Sequence, residues 1–198
     1  MTEWNPHTLL QAPPFMPLQP YIERLQSGVF PTLDDLNALL ADRAITVHSG
    51  RTLSFVPQLI GKLAFESQYE PLCYLTGEVQ TRENNWHDLL NALVWLTFPK
   101  AKAAINARHY RALQQAHEPQ SSQRGAVRDT NTLMDESGVI VACANPELAR
   151  LLRDFHWREL FWQRRVEVRQ QMGFYLFGHG LYEKATQPYI GITGQGII

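Results

Sequence analysis

The hydrophobic pattern is most unusual between Asn84 and Leu96, in the run NNWHDLLNALVWL. At the ~100° per residue of an α-helix, Asn84, His87, Asp88, Asn91 and Trp95 share one stripe. Leu89, Leu90, Leu93, Val94 and Leu96 cover most of the remaining circumference. A helix that is apolar nearly all round belongs inside a domain, so its polar stripe goes in with it. Buried polar groups are costly unless paired. The stripe is therefore either a satisfied structural network or the wall of a site.

Other patterns set the frame around this helix. Residues 1–20 hold five of the twelve prolines and predict an arm lying on the domain, with Trp4, Phe15 and Met16 as anchors. Thr32 reads as an N-cap with Asp35 three residues on, and Leu33, Leu36, Leu39 and Leu40 supply a buried face. Residues 51–56 predict a strand, and 72–76 a weaker one before Gly77. Pro99 opens a helix running to about Ala116, with Ala101, Ala104, Ile105, Ala112 and Leu113 as its inner face.

Residues 118–125 predict an exposed loop. Strands over 127–134 and 139–143 then form a hairpin around Asp135-Glu136-Ser137-Gly138. Asn145-Pro146 starts a helix over 146–155 that continues to about Gln171, followed by a short apolar strand over 172–177. Gly178-His179-Gly180 turns the chain into a last helix ending before Pro188. The sum is one α+β domain, helix-rich with a small, mostly antiparallel sheet, over residues 21–198 behind the N-terminal arm.

These motifs also carry a resemblance. Asn85-Trp86-His87-Asp88, Asn91-Ala92-Leu93, Phe98-Pro99-Lys100, Arg128-Asp129, Asp135-Glu136-Ser137-Gly138 and Phe177-Gly178-His179 resemble an uncharacterised bacterial domain-of-unknown-function family over roughly residues 20–195. The resemblance implies a bacterial single-domain protein and supplies no activity.

Composition narrows the function classes. At 198 residues, 44% hydrophobic, with a net charge of −1, the chain is ordinary globular protein without a general attraction for polyanions. Cys73 and Cys143 read as small core residues of a reducing compartment. Neither a signal peptide nor an apolar run of ~20 residues is present, which predicts a cytoplasmic protein away from membranes.

Candidate chemistry centres on the polar stripe. His87 and Asp88 offer an imidazole and a carboxylate for acid–base work, and Asn84 and Asn91 offer amides to hold a substrate. Capping and the helix dipole explain Asn84, Asn85 and Asp88 as well, but not Asn91 one turn deeper. In the predicted hairpin, Asp129 and Asp135 share a strand face and Glu136 opens the turn, so carboxylates can converge near a histidine. Such a set suits proton transfer, or a divalent metal bound by His87 and carboxylates if the fold joins helix and hairpin; no zinc-type ligand spacing is present. His179, between two glycines at a helix start, is a second proton carrier near amides that favour an anion. Lys100 and Arg128 offset a substrate's negative charge.

The expectation is an acid–base enzyme, hydrolase-like, acting on a small polar or anionic substrate. The alternative is a non-catalytic ligand- or partner-binding domain using the same cluster. A nucleic-acid module ranks third, because the arginines of 150–169 alternate with acidic residues that suit helical pairs such as Arg150–Asp154. Glu159, on the apolar side of that helix, calls for a partner such as an arginine.

Overall fold

The N-terminal prolines fall where helices tolerate them. In the computed structural model, which describes residues 4–26, 28–116 and 124–198 (backbone alone at 116 and 124–129), Pro6 opens α1 (Pro6–Leu10) under an Asn5 cap. Pro13 and Pro14 open a 3₁₀ segment (Pro13–Leu18), which leads into α2 (Gln19–Ile22). The arm is thus built of helical turns, each too short to be broken by its prolines. Trp4, Phe15 and Leu18 are buried in the main core, whereas Met16 is exposed.

Helix α3 (Leu33–Leu40) starts at Thr32 in a reciprocal capping box. Thr32 Oγ1 accepts from the Asp35 N–H at 3.2 Å, and Asp35 Oδ2 accepts from the Thr32 N–H at 2.9 Å. The Thr32 N–H and, at 2.7 Å, the Thr32 hydroxyl both donate to Asp35 Oδ2 and hold the Asp35 pKa below the usual carboxylate range. Thr32→Ala is expected to lower unfolding free energy by about 1 kcal/mol. The backbone N–H, the larger cause of the depressed Asp35 pKa, persists in the variant; the hydroxyl's share adds stability above the unfolded carboxyl pKa of ~4 and loses it as pH falls through the folded value, so the gap between variant and wild type should narrow slightly in acid. Urea unfolding at neutral and acidic pH checks both statements.

Strand β1 (Ser54–Pro57) is followed by α4 (Tyr69–Thr76), where the sequence predicts a weak strand over 72–76. Gly77 ends α4 at φ 86°, a left-handed C-cap with the Thr52 carbonyl against its α-carbon, so a side chain there has no room. Strand β2 (Glu78–Thr81) then pairs in parallel with β1, Phe55 opposite Val79.

Helix α5 (Trp86–Thr97) is the centre of the main core, every residue from Leu89 to Leu96 being buried. Helix α6 (Pro99–Ala116) follows directly. Its innermost residues are Lys102, Ala103, Asn106, Ala107 and His109, a face rotated from the predicted one; Ala104 is exposed. Lys102, Asn106 and His109 stand at i, i+4 and i+7, a second buried polar stripe.

The predicted hairpin is overturned. Residues 124–137 form α7 (Arg124–Ser137), and only β3 (Gly138–Cys143) is extended. Val127, Thr130 and Thr132 favour strand locally, but packing of α7 on α6 and α10 decides. The predicted loop over 118–125 lies outside the described residues up to 123, and α7 begins at Arg124.

Helix α8 (Pro146–Arg153) stops early, because Phe155 adopts φ 57°. A π turn (Glu159–Gln163) and α9 (Arg165–Gln171) replace the predicted continuous helix. Strand β4 (Met172–Leu176) pairs antiparallel with β3, α10 (His179–Ala185) follows, and β5 (Gln195–Ile197) pairs with β3 in parallel. The fold is a single α+β domain in which two small sheets, one parallel and one mixed, flank a helical core. Helix α10 packs on both α5 and α7, which places three helices around one cleft.

Candidate functional site

Polar side chains of α5, α7 and α10, with one residue of the α6 stripe, line a cleft of about 360 Å³. From α5 come His87, Asp88 and Asn91; from α6, His109; from α7, Thr132, Asp135 and Glu136; from α10, His179. Tyr69 and Glu70 of α4, with Gln58, Gln80 and Arg82, complete the wall. His87 and Glu136 also border a second, more open depression with Trp86, Gly180 and Glu183.

Two imidazoles and a carboxylate meet at one vertex of the cleft. The Nε2 atoms of His87 and His179 lie 2.9 Å apart. Glu136 Oε1 lies 3.5 Å from His179 Nε2 and 3.7 Å from His87 Nε2. Behind the vertex, His87 Nδ1 contacts Glu183 Oε2 at 2.9 Å, and His179 Nδ1 lies 3.7 Å from Asp135 Oδ2. Asp135 is itself paired with Lys102 at 2.5 Å, deep in the protein.

The electrostatics separate the two histidines. His179 is buried; burial, reinforced by Lys102, lowers its pKa to about 3, so the ring is neutral near pH 7. His87 is half-buried and reaches solvent. Burial raises the Glu136 pKa above its ordinary value, with His87 opposing. Burial also works against the Asp135 carboxylate, but Lys102 and His179 outweigh it and hold its pKa low.

The α5 stripe divides into structural and open members. Asp88 accepts from the Arg82 backbone N–H at 2.7 Å and receives the Arg82 guanidinium through both oxygens at 2.9 Å, which pins β2 to α5. The Asp88 pKa stays low because these contacts overcome its partial burial. Asn91 is buried; its Nδ2 donates to the Tyr69 hydroxyl at 2.7 Å, and its Oδ1 has no partner among the described residues. Tyr69 as a residue is partly exposed, but enclosure of its hydroxyl pushes the pKa up.

The other sequence-predicted residues are distributed as follows. Asn84 precedes the helix at φ 54° and is exposed, so it leaves the stripe; Asn85 is the cap, accepting from the Asp88 N–H. Lys100 is exposed at the start of α6 and does not line the cleft. Arg128 and Asp129 sit in α7 rather than in a strand, and their side chains lie outside the described residues. Among the described residues, His87 is oriented by Glu183 rather than by Asp88, which is taken up by Arg82. At the start of α10 the space beside Gly180 is filled by the Glu136 carboxylate, in the place foreseen for an external anion.

Sequence reading missed Glu183, Lys102, Glu70, Tyr69 and Arg82. Glu183 had a signal, since it stands one turn after His179 on the same helix face. Lys102 had one too, as the first member of the Lys102-Asn106-His109 stripe.

Elsewhere, Arg150 pairs with Asp154 at 3.2 Å, and Arg164 with Glu147 and Glu167 at 2.9 and 2.6 Å. Glu159 finds His156 at 3.8 Å instead of an arginine. Among the described residues, no helix is long and apolar enough to cross a membrane.

A helical α+β domain with a polar, histidine- and carboxylate-lined cleft defines a class rather than an activity. Residues 53–198 match the family described as "Protein of unknown function (DUF3025)", and the chain belongs to that family. No curated protein and no solved structure matches it.

Proposed function

We propose that the cleft is the reaction centre of a hydrolase-like enzyme using acid–base chemistry on a small polar substrate or the polar end of an anionic one. The observation that supports this most is the convergence of His87, His179 and Glu136 within 3.7 Å at the cleft wall. Glu183 on Nδ1 of His87 favours the tautomer whose Nε2 carries a lone pair, the arrangement that accepts a proton from a bound water. Asn91 Oδ1, buried and unpartnered among the described residues, is an acceptor for a substrate donor.

Charge refines the substrate class. The cleft carries four carboxylates, Glu70, Asp88, Asp135 and Glu136, against the guanidinium of Arg82. An anionic group would approach Arg82 and His109, which take the part foreseen for Lys100 and Arg128. The free thiols Cys73 and Cys143 support a reducing, cytoplasmic setting.

The competing reading is a non-catalytic ligand-binding cleft, and the unpartnered Asn91 acceptor is what favours it. A turnover screen over esters, amides and phosphoesters separates the two. Hydrolysis of one class by the purified chain is expected; ligand binding without turnover across the panel would leave the binding reading. Asn91→Leu sharpens the comparison. It removes a buried unsatisfied acceptor together with the Nδ2 bond to Tyr69, effects of opposite sign, so the melting temperature is expected to stay close to wild type while substrate binding falls at least roughly tenfold. A drop of several degrees in Tm with binding intact would make Asn91 structural.

A further inference from the structure

We propose that His87 Nε2, His179 Nε2 and a carboxylate oxygen of Glu136 are the three protein ligands of one divalent transition-metal ion of the zinc class, its remaining positions open to the cleft. This deepens the catalytic reading and rests on it for the ion's purpose, though not for its binding. Among the described residues, these three form the one group of histidine, cysteine and acidic donors close enough to share an ion.

The triangle has the right size. Its edges of 2.9, 3.5 and 3.7 Å scatter around the ~3.4 Å edge of a tetrahedral face with 2.1 Å bonds. A circle through these three atoms has a radius of about 2.0 Å, so a point ~2.1 Å from all three lies just off their plane. The ring axes also converge. A linear Nε2–H···Nε2 bond would put the ring centroids about 5 Å apart, whereas they are 4.4 Å apart with planes at 71°.

The surroundings support the same assignment independently. Metal-bound imidazoles characteristically direct their second ring nitrogen at a carboxylate or carbonyl, which fixes the tautomer and strengthens the ligand. His87 Nδ1 meets Glu183 at 2.9 Å in this way; His179 Nδ1 is buried without a hydrogen-bond partner among the described residues, with the Asp135 carboxylate 3.7 Å away. Glu183 holds the His87 proton on Nδ1, so His87 Nε2 presents a lone pair 2.9 Å from His179 Nε2; that contact is a hydrogen bond when His179 carries its proton on Nε2, and a pair of opposed lone pairs for a cation to bridge when it carries it on Nδ1. Among the described residues, the basic side chains within 4 Å of the Glu136 and Glu183 carboxylates are histidines alone. Two imidazoles and one carboxylate suit zinc, cobalt, iron(II) or manganese better than calcium or magnesium. Three protein ligands with an open position are the catalytic rather than the structural pattern, and such an ion makes bound water acidic near neutral pH.

The test uses the full chain, stripped with a chelator and titrated calorimetrically with Zn²⁺ and with Co²⁺, whose visible bands report the ligand set. One equivalent is expected to bind with micromolar or tighter Kd. His87→Ala and Glu136→Gln should each weaken it by more than roughly tenfold, and Glu183→Gln by about tenfold. Gly180→Ala removes no donor but pushes on the Glu136 carboxylate, so it should weaken binding too, with circular dichroism showing an unchanged fold. No binding by the folded wild type at micromolar ion, or binding indifferent to both His87→Ala and Glu136→Gln, overturns the site. The two readings fail separately. Turnover that survives chelation but not His87→Ala rejects the ion and keeps the enzyme; binding as described without turnover rejects the enzyme and keeps the ion.

Discussion

Replacing His87 by alanine is expected to lower turnover in the cleft by about 10²–10⁴-fold, the range for losing a positioned acid–base group. The melting temperature should move by only a few degrees, because the ring is one-third exposed and packs little of the core. The loss is expected whether Nε2 takes a proton or holds an ion, since both uses need that atom 2.9 Å from His179 Nε2. The check is kcat/KM beside a thermal melt for the substrate found in the screen. Activity within a factor of a few of wild type would remove His87 from the centre.

The largest stability effect is expected at Lys102. Its ammonium is buried, 2.5 Å from Asp135 and 5.5 Å from the centroid of the Trp95 ring. Lys102→Met keeps the volume but strands a buried carboxylate, which costs about 3 kcal/mol, the lower end of the range because the Asp135 side chain retains 17% exposure. For a chain of this size that corresponds to a Tm loss of roughly 6–12 °C. Adding Asp135→Leu should restore much of it, since removing both charges is far cheaper than removing one. Denaturant unfolding of the single and double variants measures both terms. A single variant within 1 kcal/mol of wild type would mean that Asp135 takes up a proton or solvent at little expense.

Helix α5 was legible because an apolar circumference with a narrow polar seam suits a helix inside a domain and little else, and its burial matches that reading. Thr32 and Asp35 were legible because a capping box is local chemistry. The α7 segment was not, because Val127, Thr130 and Thr132 favour extended backbone, and the packing that overrides them comes from α6 and α10. Its error was partly harmless: Asp135 and Glu136 reach the cleft from the last helical turn as they would have from a hairpin. The α6 face was misjudged by seeking apolar positions where a buried lysine, asparagine and histidine face inward. The vertex had no spacing signature at all, since its two imidazoles are 92 residues apart and meet only in the folded chain.

That assembly makes the folded state itself a sensor. The vertex takes one side chain each from α5, α7 and α10, so an occupant that bridges them exists only in the native basin and pulls the unfolding equilibrium toward it. By mass action, saturation to a hundred times Kd adds about 2.7 kcal/mol, enough to appear in a thermal shift. Ligand discovery for this family can therefore begin without knowing the reaction, by ranking compounds and ions on protection from heat. Native-state amide exchange would then report on the three helices separately: an occupant touching all three should slow their opening together, while one lodged elsewhere in the cleft would leave α10 to open on its own schedule.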